Sequence, residues 1–268
     1  MSMEMKKTKT IIFSMLVIAL MISTLSVTTV AQLPIAGNKG LMPECETKLF
    51  RITNADTRVQ AVTYVPGNDS SISNDHSSGL CASARLLDRN EFGYAASRVR
   101  ASGDLNQTPT SDITFHHYCH EYAGQYALHE FAAGTMGWTS TFVELETLSS
   151  RGMIRLEITG SYSLSISSNM DNGSVQSIAQ FTYHDDYSDD NDFSVISWLN
   201  TTQREWSDEY DTFTQIVYVP VGTICSISIS TAGAIGLVQT SGHRGTSYTS
   251  MGVKITAEKV LIAEAAQI

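Results

Sequence analysis

The chain has 268 residues, with 17 Lys and Arg against 27 Asp and Glu, a formal net charge of −10, and 42% hydrophobic residues. That is enough apolar material for a real core, and all-β sandwiches of this size often fold as one domain. The acidic balance disfavours nucleic acid and anionic membrane surfaces as partners and leaves cations and uncharged glycans open.

Residues 1–31 read as a secretory signal peptide. Lys6, Lys7 and Lys9 form a basic head, an apolar stretch runs from Ile11 to about Ile22, and Thr29-Val30-Ala31 supplies small residues for cleavage. An uncleaved anchor is the competing reading, because a bilayer span needs roughly 20 predominantly apolar residues and the run barely reaches that length. Five Ser or Thr residues after position 22 weaken it. Cleavage predicts a protein that is secreted or held at the cell surface, with no membrane insertion afterwards. It leaves residues 32–268 as a single domain. The leader holds three Lys and one Glu, so 14 basic and 26 acidic residues remain, a net charge of −12. Cys45, Cys81, Cys119 and Cys225 all lie in that part. In an oxidising compartment they are disulfide candidates, and four cysteines allow three pairings.

Period-two alternation dominates and helical periodicity is scarce, which predicts half-buried strands. The first half yields strands at 47–53, 58–65, 80–86, 94–101, 112–119 and 125–132. Pro66-Gly67-Asn68-Asp69-Ser70 is a turn. Residues 85–96 and 201–210 are ambiguous, each able to hold a helical turn. A strand at 139–146 follows, and then the clearest alternation in the chain. Ile154, Leu156, Ile158, Gly160, Tyr162, Leu164 and Ile166 share one face, and Arg155, Glu157, Thr159, Ser161, Ser163 and Ser165 the other. Gly160, in mid-strand, suggests a bulge or bend. Further strands fall at 175–183, 192–198, 212–219, 224–230, 232–239 and 252–261. Asp171-Asn172-Gly173 is a turn, and Val221-Gly222-Thr223 predicts a hairpin. The more regular stranding after Gly137 leaves a two-domain split near there as the alternative.

Three features could carry a site. In the loop at 184–192, Asp186, Ser188, Asp190 and Asp192 occupy alternate positions, a spacing that can turn several oxygens around calcium. Asn191 replaces the turn glycine and Ser197 the closing glutamate of an EF-hand, so any calcium site is a less regular sandwich loop. The plain alternative is a solvated acidic loop. The second feature is His116-His117-Tyr118-Cys119-His120-Glu121, with His129 beyond it. On a strand His117, Cys119 and Glu121 share one face, donors suited to zinc or copper, but their spacing matches no recognised ligand pattern. The third is aromatic: Tyr183, Tyr187, Trp198, Trp206 and Tyr210 surround the acidic loop. Tyr183 and Trp198 are expected in the core. Trp206 and Tyr210 are the expected carbohydrate contacts.

Catalytic frames are scarce. G-x-S-x-G and H-E-x-x-H are absent. Glu144, Glu146 and Glu157 are available to a glycosidase, yet they sit on the polar faces of strands, where solvent-facing charge explains them. Sequons stand at Asn68, Asn106, Asn172 and Asn200.

The second half carries a resemblance. Trp138-Thr139-Ser140-Thr141-Phe142, then the strand through Gly160-Ser161, then Phe213 to Thr223, then Ser226-Ile227-Ser228-Ile229-Ser230 follow in an order that resembles a loose group of exported bacterial β-sandwich surface proteins without assigned function. The resemblance covers about half the chain and implies no functional residues.

Together these readings predict an all-β antiparallel sandwich, jelly-roll-like, with few or no helices outside the leader. The leading functional expectation is a secreted non-enzymatic protein with a structural, adhesive or extracellular-matrix role, partnered by glycans or other extracellular proteins, itself included. A calcium-dependent carbohydrate-binding module is the alternative, and a secreted hydrolase ranks below both.

Overall fold

The computed structural model describes residues 48–106, 111–126, 133–148, 152–170, 173–236 and 242–260. The leader and Cys45 lie outside them. The described residues form twelve strands: β1 (Phe50–Tyr64), β2 (Ser71–Ser77), β3 (Ala82–Arg89), β4 (Gly93–Asn106), β5 (Ser111–Gln125), β6 (Gly134–Thr147), β7 (Met153–Ser168), β8 (Ser174–Asp185), β9 (Phe193–Thr201), β10 (Glu205–Pro220), β11 (Ile224–Gly236) and β12 (Arg244–Val260). One 3-10 turn, Asp189–Asn191, sits between β8 and β9.

The strands make two six-stranded sheets. Sheet A runs β2-β1-β6-β11-β8-β9 and sheet B runs β10-β7-β12-β5-β4-β3. Every pairing is antiparallel. The expected antiparallel sandwich is the observed one, and strands from both halves of the chain interleave in each sheet. Among the changes of sheet, those between β2 and β3 and between β9 and β10 join one edge strand to another, so these connections wrap the two flanks.

The alternation read in β7 is realised. Ile154, Leu156, Ile158, Tyr162, Leu164 and Ile166 are buried against sheet A. Gly160 makes no bulge, since its register with Phe213 is regular. Its missing side chain makes room for a ring instead: a Cβ there would lie 2.2 Å from Phe213 Cζ. Phe213 also packs on Phe181 and Phe193, with centroids 5.4 and 6.4 Å away, which ties β10 to β8 and β9.

Strands expected separately at 58–65 and before 53 run on as one, β1, as do those at 224–230 and from 232 onward in β11. Three other sequence expectations also give way. Residues 85–96 hold no helical turn but the β3–β4 hairpin, whose turn is set by Asn90 Oδ1 accepting from the Phe92 and Gly93 N–H groups at 2.9 and 3.2 Å. Residues 201–210 are the end of β9, a short loop and the start of β10. Val221-Gly222-Thr223 closes no hairpin, because β10 belongs to sheet B and β11 to sheet A. Gly222, at φ 86°, turns the chain from one sheet to the other.

The core is apolar in patches. One large cluster gathers Phe50, Phe115, Leu145, Ile158, Phe181 and Ile255 with their neighbours, and two smaller ones form around Ile166 and Met170 and around Val59 and Val99. A polar seam runs beside them, with Thr57, Thr135, Thr139, Thr141, Thr231, Ser177, Ser247 and Thr249 buried.

Candidate functional site

The acidic loop is organised by a residue that the sequence did not single out. Asp185 is buried, its Oδ1 accepting from the Tyr187 and Ser188 N–H groups at 3.0 and 2.9 Å. Its Oδ2 accepts from Tyr183 OH at 3.0 Å and Asn191 Nδ2 at 2.9 Å. The predicted calcium ligands have separate partners. Asp186 Oδ1 accepts from Ile224 N at 2.9 Å, Ser188 Oγ accepts from Asp190 N at 3.3 Å, and Asp192 pairs with His184 Nδ1 at 2.7 Å. Among the described residues no three His, Cys, Asp or Glu side chains converge as a metal-ion group. Asp192 and its hydrogen bond raise the His184 pKa.

The histidine-rich strand is β5. As its alternation predicts, His117, Cys119 and Glu121 point between the sheets, and His116, Tyr118 and His120 point outward. His129 lies outside the described residues. Among the described residues the three inward groups form no metal-ion cluster. They join the polar seam instead. His117 Nδ1 meets Thr139 Oγ1 at 2.8 Å, and Thr139 meets Thr231 Oγ1 at 2.8 Å. Cys119 Sγ lies 3.3 Å from Thr231 O. Burial lowers the His117 pKa to about 3 and raises the Cys119 thiol far above its usual range. Glu121 is fully buried, and burial pushes its carboxyl up to about 8, against the opposing hydrogen bonds from Thr135 and Ser97. Its head fits where Gly137 leaves room on the facing sheet, since a Cβ there would lie 2.1 Å from Oε1. Cys81, Cys119 and Cys225 are free thiols, the first exposed and the others buried. The expected disulfides are therefore not formed among these three.

The outer face of sheet B assembles residues that the sequence keeps far apart. Trp206 and Tyr210, on the edge strand β10, are 68% and 70% exposed, as expected. Beside them the outward positions of β7 are Ser161, Ser163, Ser165 and Ser167. Register then places Thr246, Tyr248 and Ser250 of β12, and after them Tyr118, His120 and Tyr122 of β5. One row reads Asp208, Ser165, Tyr248, His120, Arg98 and Arg85 across all six strands. At about 4.8 Å per strand, that row spans about 24 Å. A strip of small hydroxyl side chains is thus flanked by aromatic rings on both sides. His120 packs edge-on against Tyr248 with centroids 5.9 Å apart, and Tyr94 against Tyr122 at 4.9 Å. Burial first, then the nearby Arg98 charge, lowers the His120 pKa.

Two expectations for side chains are settled by position. Tyr183 is buried as expected, but Trp198 is 55% exposed, standing with Ile196 on the outer face of sheet A. Glu144 and Glu146 lie on the outer face of sheet A and Glu157 on that of sheet B, so the three do not flank one cleft. Arg85, Arg98 and Arg100 were missed by sequence reading. Resolving 80–101 as a hairpin turning at Asn90 would have brought Arg85 opposite Arg98.

No family model matches the chain, and no curated protein matches it. Among solved structures, that of infectious bursal disease virus Gx strain is similar at 11% identity, covering 83% of this chain and 69% of that one, with a TM-score of 0.14. The infectious bursal disease virus VP2 subviral particle is similar at 10% identity over 83% of this chain and 69% of that one, with a TM-score of 0.15. At such scores the likeness carries no functional argument.

Proposed function

We propose that this chain works outside the cell as a non-enzymatic β-sandwich with an adhesive or matrix role, holding glycans on the outer face of sheet B. The main support is the strip of Ser161, Ser163, Ser165 and Ser167 lying between Trp206 and Tyr210 on one side and Tyr248, Tyr118 and Tyr122 on the other. Aromatic rings offer flat apolar faces with polar tips, suited to the C–H faces of sugar rings. Serine hydroxyls both donate and accept, which suits sugar hydroxyls. From Trp206 and Tyr210 on β10 to Tyr118 and Tyr122 on β5 is three strand spacings, or about 14 Å, room for a short oligosaccharide laid across the strands. The platform uses none of the acidic-loop residues, so calcium is not needed to build it.

A glycan array with the purified protein tests the reading. Trp206→Ala removes an exposed ring and should weaken binding roughly 10- to 100-fold, the range of an aromatic hot spot. Ser165→Tyr, at an outward position that tolerates a strand-forming aromatic, should block the strip while leaving the melting temperature unchanged. An array without hits, or hits that survive both substitutions, would sink the proposal.

A further inference from the structure

Resting on that glycan reading, we infer that the sugar held on sheet B is an acidic polysaccharide, its carboxylate or sulfate groups gripped by Arg85, Arg98 and Arg100. The net charge of −10 argues for uncharged sugars, but charge is distributed unevenly over the molecule. Four of its arginines lie on the β3–β4 hairpin: Arg85, Arg89, Arg98 and Arg100. Three arginines on other strands carry their own carboxylates. Arg51 pairs with Glu146 at 2.6 Å, Arg58 with Asp56 at 2.9 Å, and Arg155 with Glu157 and Glu258 at 2.8 and 3.1 Å. Arg85, Arg98 and Arg100 have no ion-pair partner among the described residues.

Their placement opposes stability. Arg85 and Arg98 are direct cross-strand partners, and like charges so placed repel. An anion between them turns that repulsion into a pair of charge-assisted hydrogen bonds, which the guanidinium fork makes bidentate to a carboxylate or sulfate. Arg98 already stands 5.6 Å from the centroid of the Tyr118 ring, a contact that holds its plane. The surface is dished here. A depression of about 440 Å³ is lined by Arg85, Leu87, Arg98, His120 and Tyr122. A second, of about 550 Å³, takes in Arg85, Arg98, Arg100, Tyr118 and Asp75. Asp75 is the one carboxylate in that lining, and its Oδ2 accepts from Ser83 N at 2.9 Å. Tyr118, Tyr122 and His120 belong both to these depressions and to the aromatic border of the serine strip, so one polymer can run from Trp206 to Arg85.

The test applies wild type, the Arg85→Ser/Arg98→Ser double variant, Arg100→Ser and Trp206→Ala to an array of neutral, uronate-bearing and sulfated glycans, with duplex DNA as the non-sugar polyanion. Hits confined to acidic glycans are expected, at least tenfold weaker in either arginine variant and weaker at high salt. Hits on uronates alone or on sulfates alone support the inference equally and identify the group. The double variant should melt at the same temperature as wild type or higher, because its loss relieves repulsion. A lower melting temperature there, with acidic binding intact in Arg100→Ser, overturns the assignment of these arginines. Hits on neutral glycans that the arginine variants keep and Trp206→Ala loses overturn the acidic inference and leave the platform standing. No hits in any class overturn both. DNA retained as strongly as the acidic glycans overturns the sugar as the source of the anion.

Discussion

Glu121 gives the protein a pH dependence that one isosteric substitution should erase. Burial raises its carboxyl from 4.5 to about 8, so between those values the folded chain holds a proton that the unfolded chain has released. Stability from this group is therefore complete below pH 4.5 and is lost as pH rises toward 8. At 1.36 kcal/mol per pH unit, the loss between pH 5 and pH 8.5 comes to about 4 kcal/mol. The hydrogen bonds accommodate a neutral acid. Thr135 Oγ1 lies 2.5 Å from Glu121 Oε2 and 3.0 Å from Val62 O, and one hydroxyl cannot donate to both. With the proton on Oε2, the acid donates to Thr135 and Thr135 donates to Val62 O, while Ser97 Oγ donates to Oε1 at 2.8 Å. Glu121→Gln keeps the shape and never ionises. Urea unfolding of both proteins at pH 5, 6.5, 8 and 8.5 should give stabilities within about 1 kcal/mol of each other at pH 5, with the variant ahead by roughly 3–4 kcal/mol more at pH 8.5. His117 slopes the other way. Its depressed pKa makes it stabilising above 6.5 and lets that stability drain as pH falls toward about 3, but it is present in both proteins and cancels in the difference. A gap between the two proteins that stays constant from pH 5 to 8.5 would refute the buried, proton-holding Glu121.

The other predictions concern single supports. Asp185→Ala removes the acceptor of four hydrogen bonds and should cost about 2–4 kcal/mol, with amide exchange at 186–192 rising to the rate of open chain. Gly137→Ala forces a methyl group against Glu121 Oε1, Val99 Cγ1 and Ser97 Oγ and should destabilise by about 1–3 kcal/mol in thermal melts, while Gly222→Ala, with open space around it, acts through its φ of 86° alone. Millimolar calcium should leave the melting temperature where a chelator leaves it, because Asp186 and Asp192 are already engaged by Ile224 N–H and His184. A rise of several degrees would show that the loop trades those partners for the ion.

What could be read from the sequence followed from periodicity. In β7 every second residue is apolar, and that face is the buried one. Where both faces are half apolar, parity is lost. In β9, Phe193, Val195 and Leu199 alternate with Ile196 and Trp198, and the preference of aromatics for the interior placed Trp198 on the wrong side. The β3–β4 hairpin was obscured by Leu86-Leu87, an adjacent pair that mimics a helix face, although Leu87 in fact points outward at 66% exposure. That misreading concealed the arginines, whose neighbourhood exists only through strand register. The Val221-Gly222-Thr223 turn was legible as a turn but not as a passage between sheets, since the positive φ of Gly222 serves either purpose. Glu121 shares its face with His117 and Cys119 in any strand reading. That this face is the interior depends on Gly137 and Gly233, which belong to strands of the other sheet.

The position of β12 has a consequence for synthesis. It lies between β7 and β5, the strands that end at Ser168 and Gln125, and pairs with each along most of its length. Until residues 244–260 have left the ribosome, sheet B exists as two unjoined pieces, β10-β7 and β5-β4-β3, each with an open edge. Completion waits on the most distant pairings in the sheet, and topologies of that kind fold slowly. Sheet B is thus left in two pieces almost to the final described residue, while every strand of sheet A has already been made.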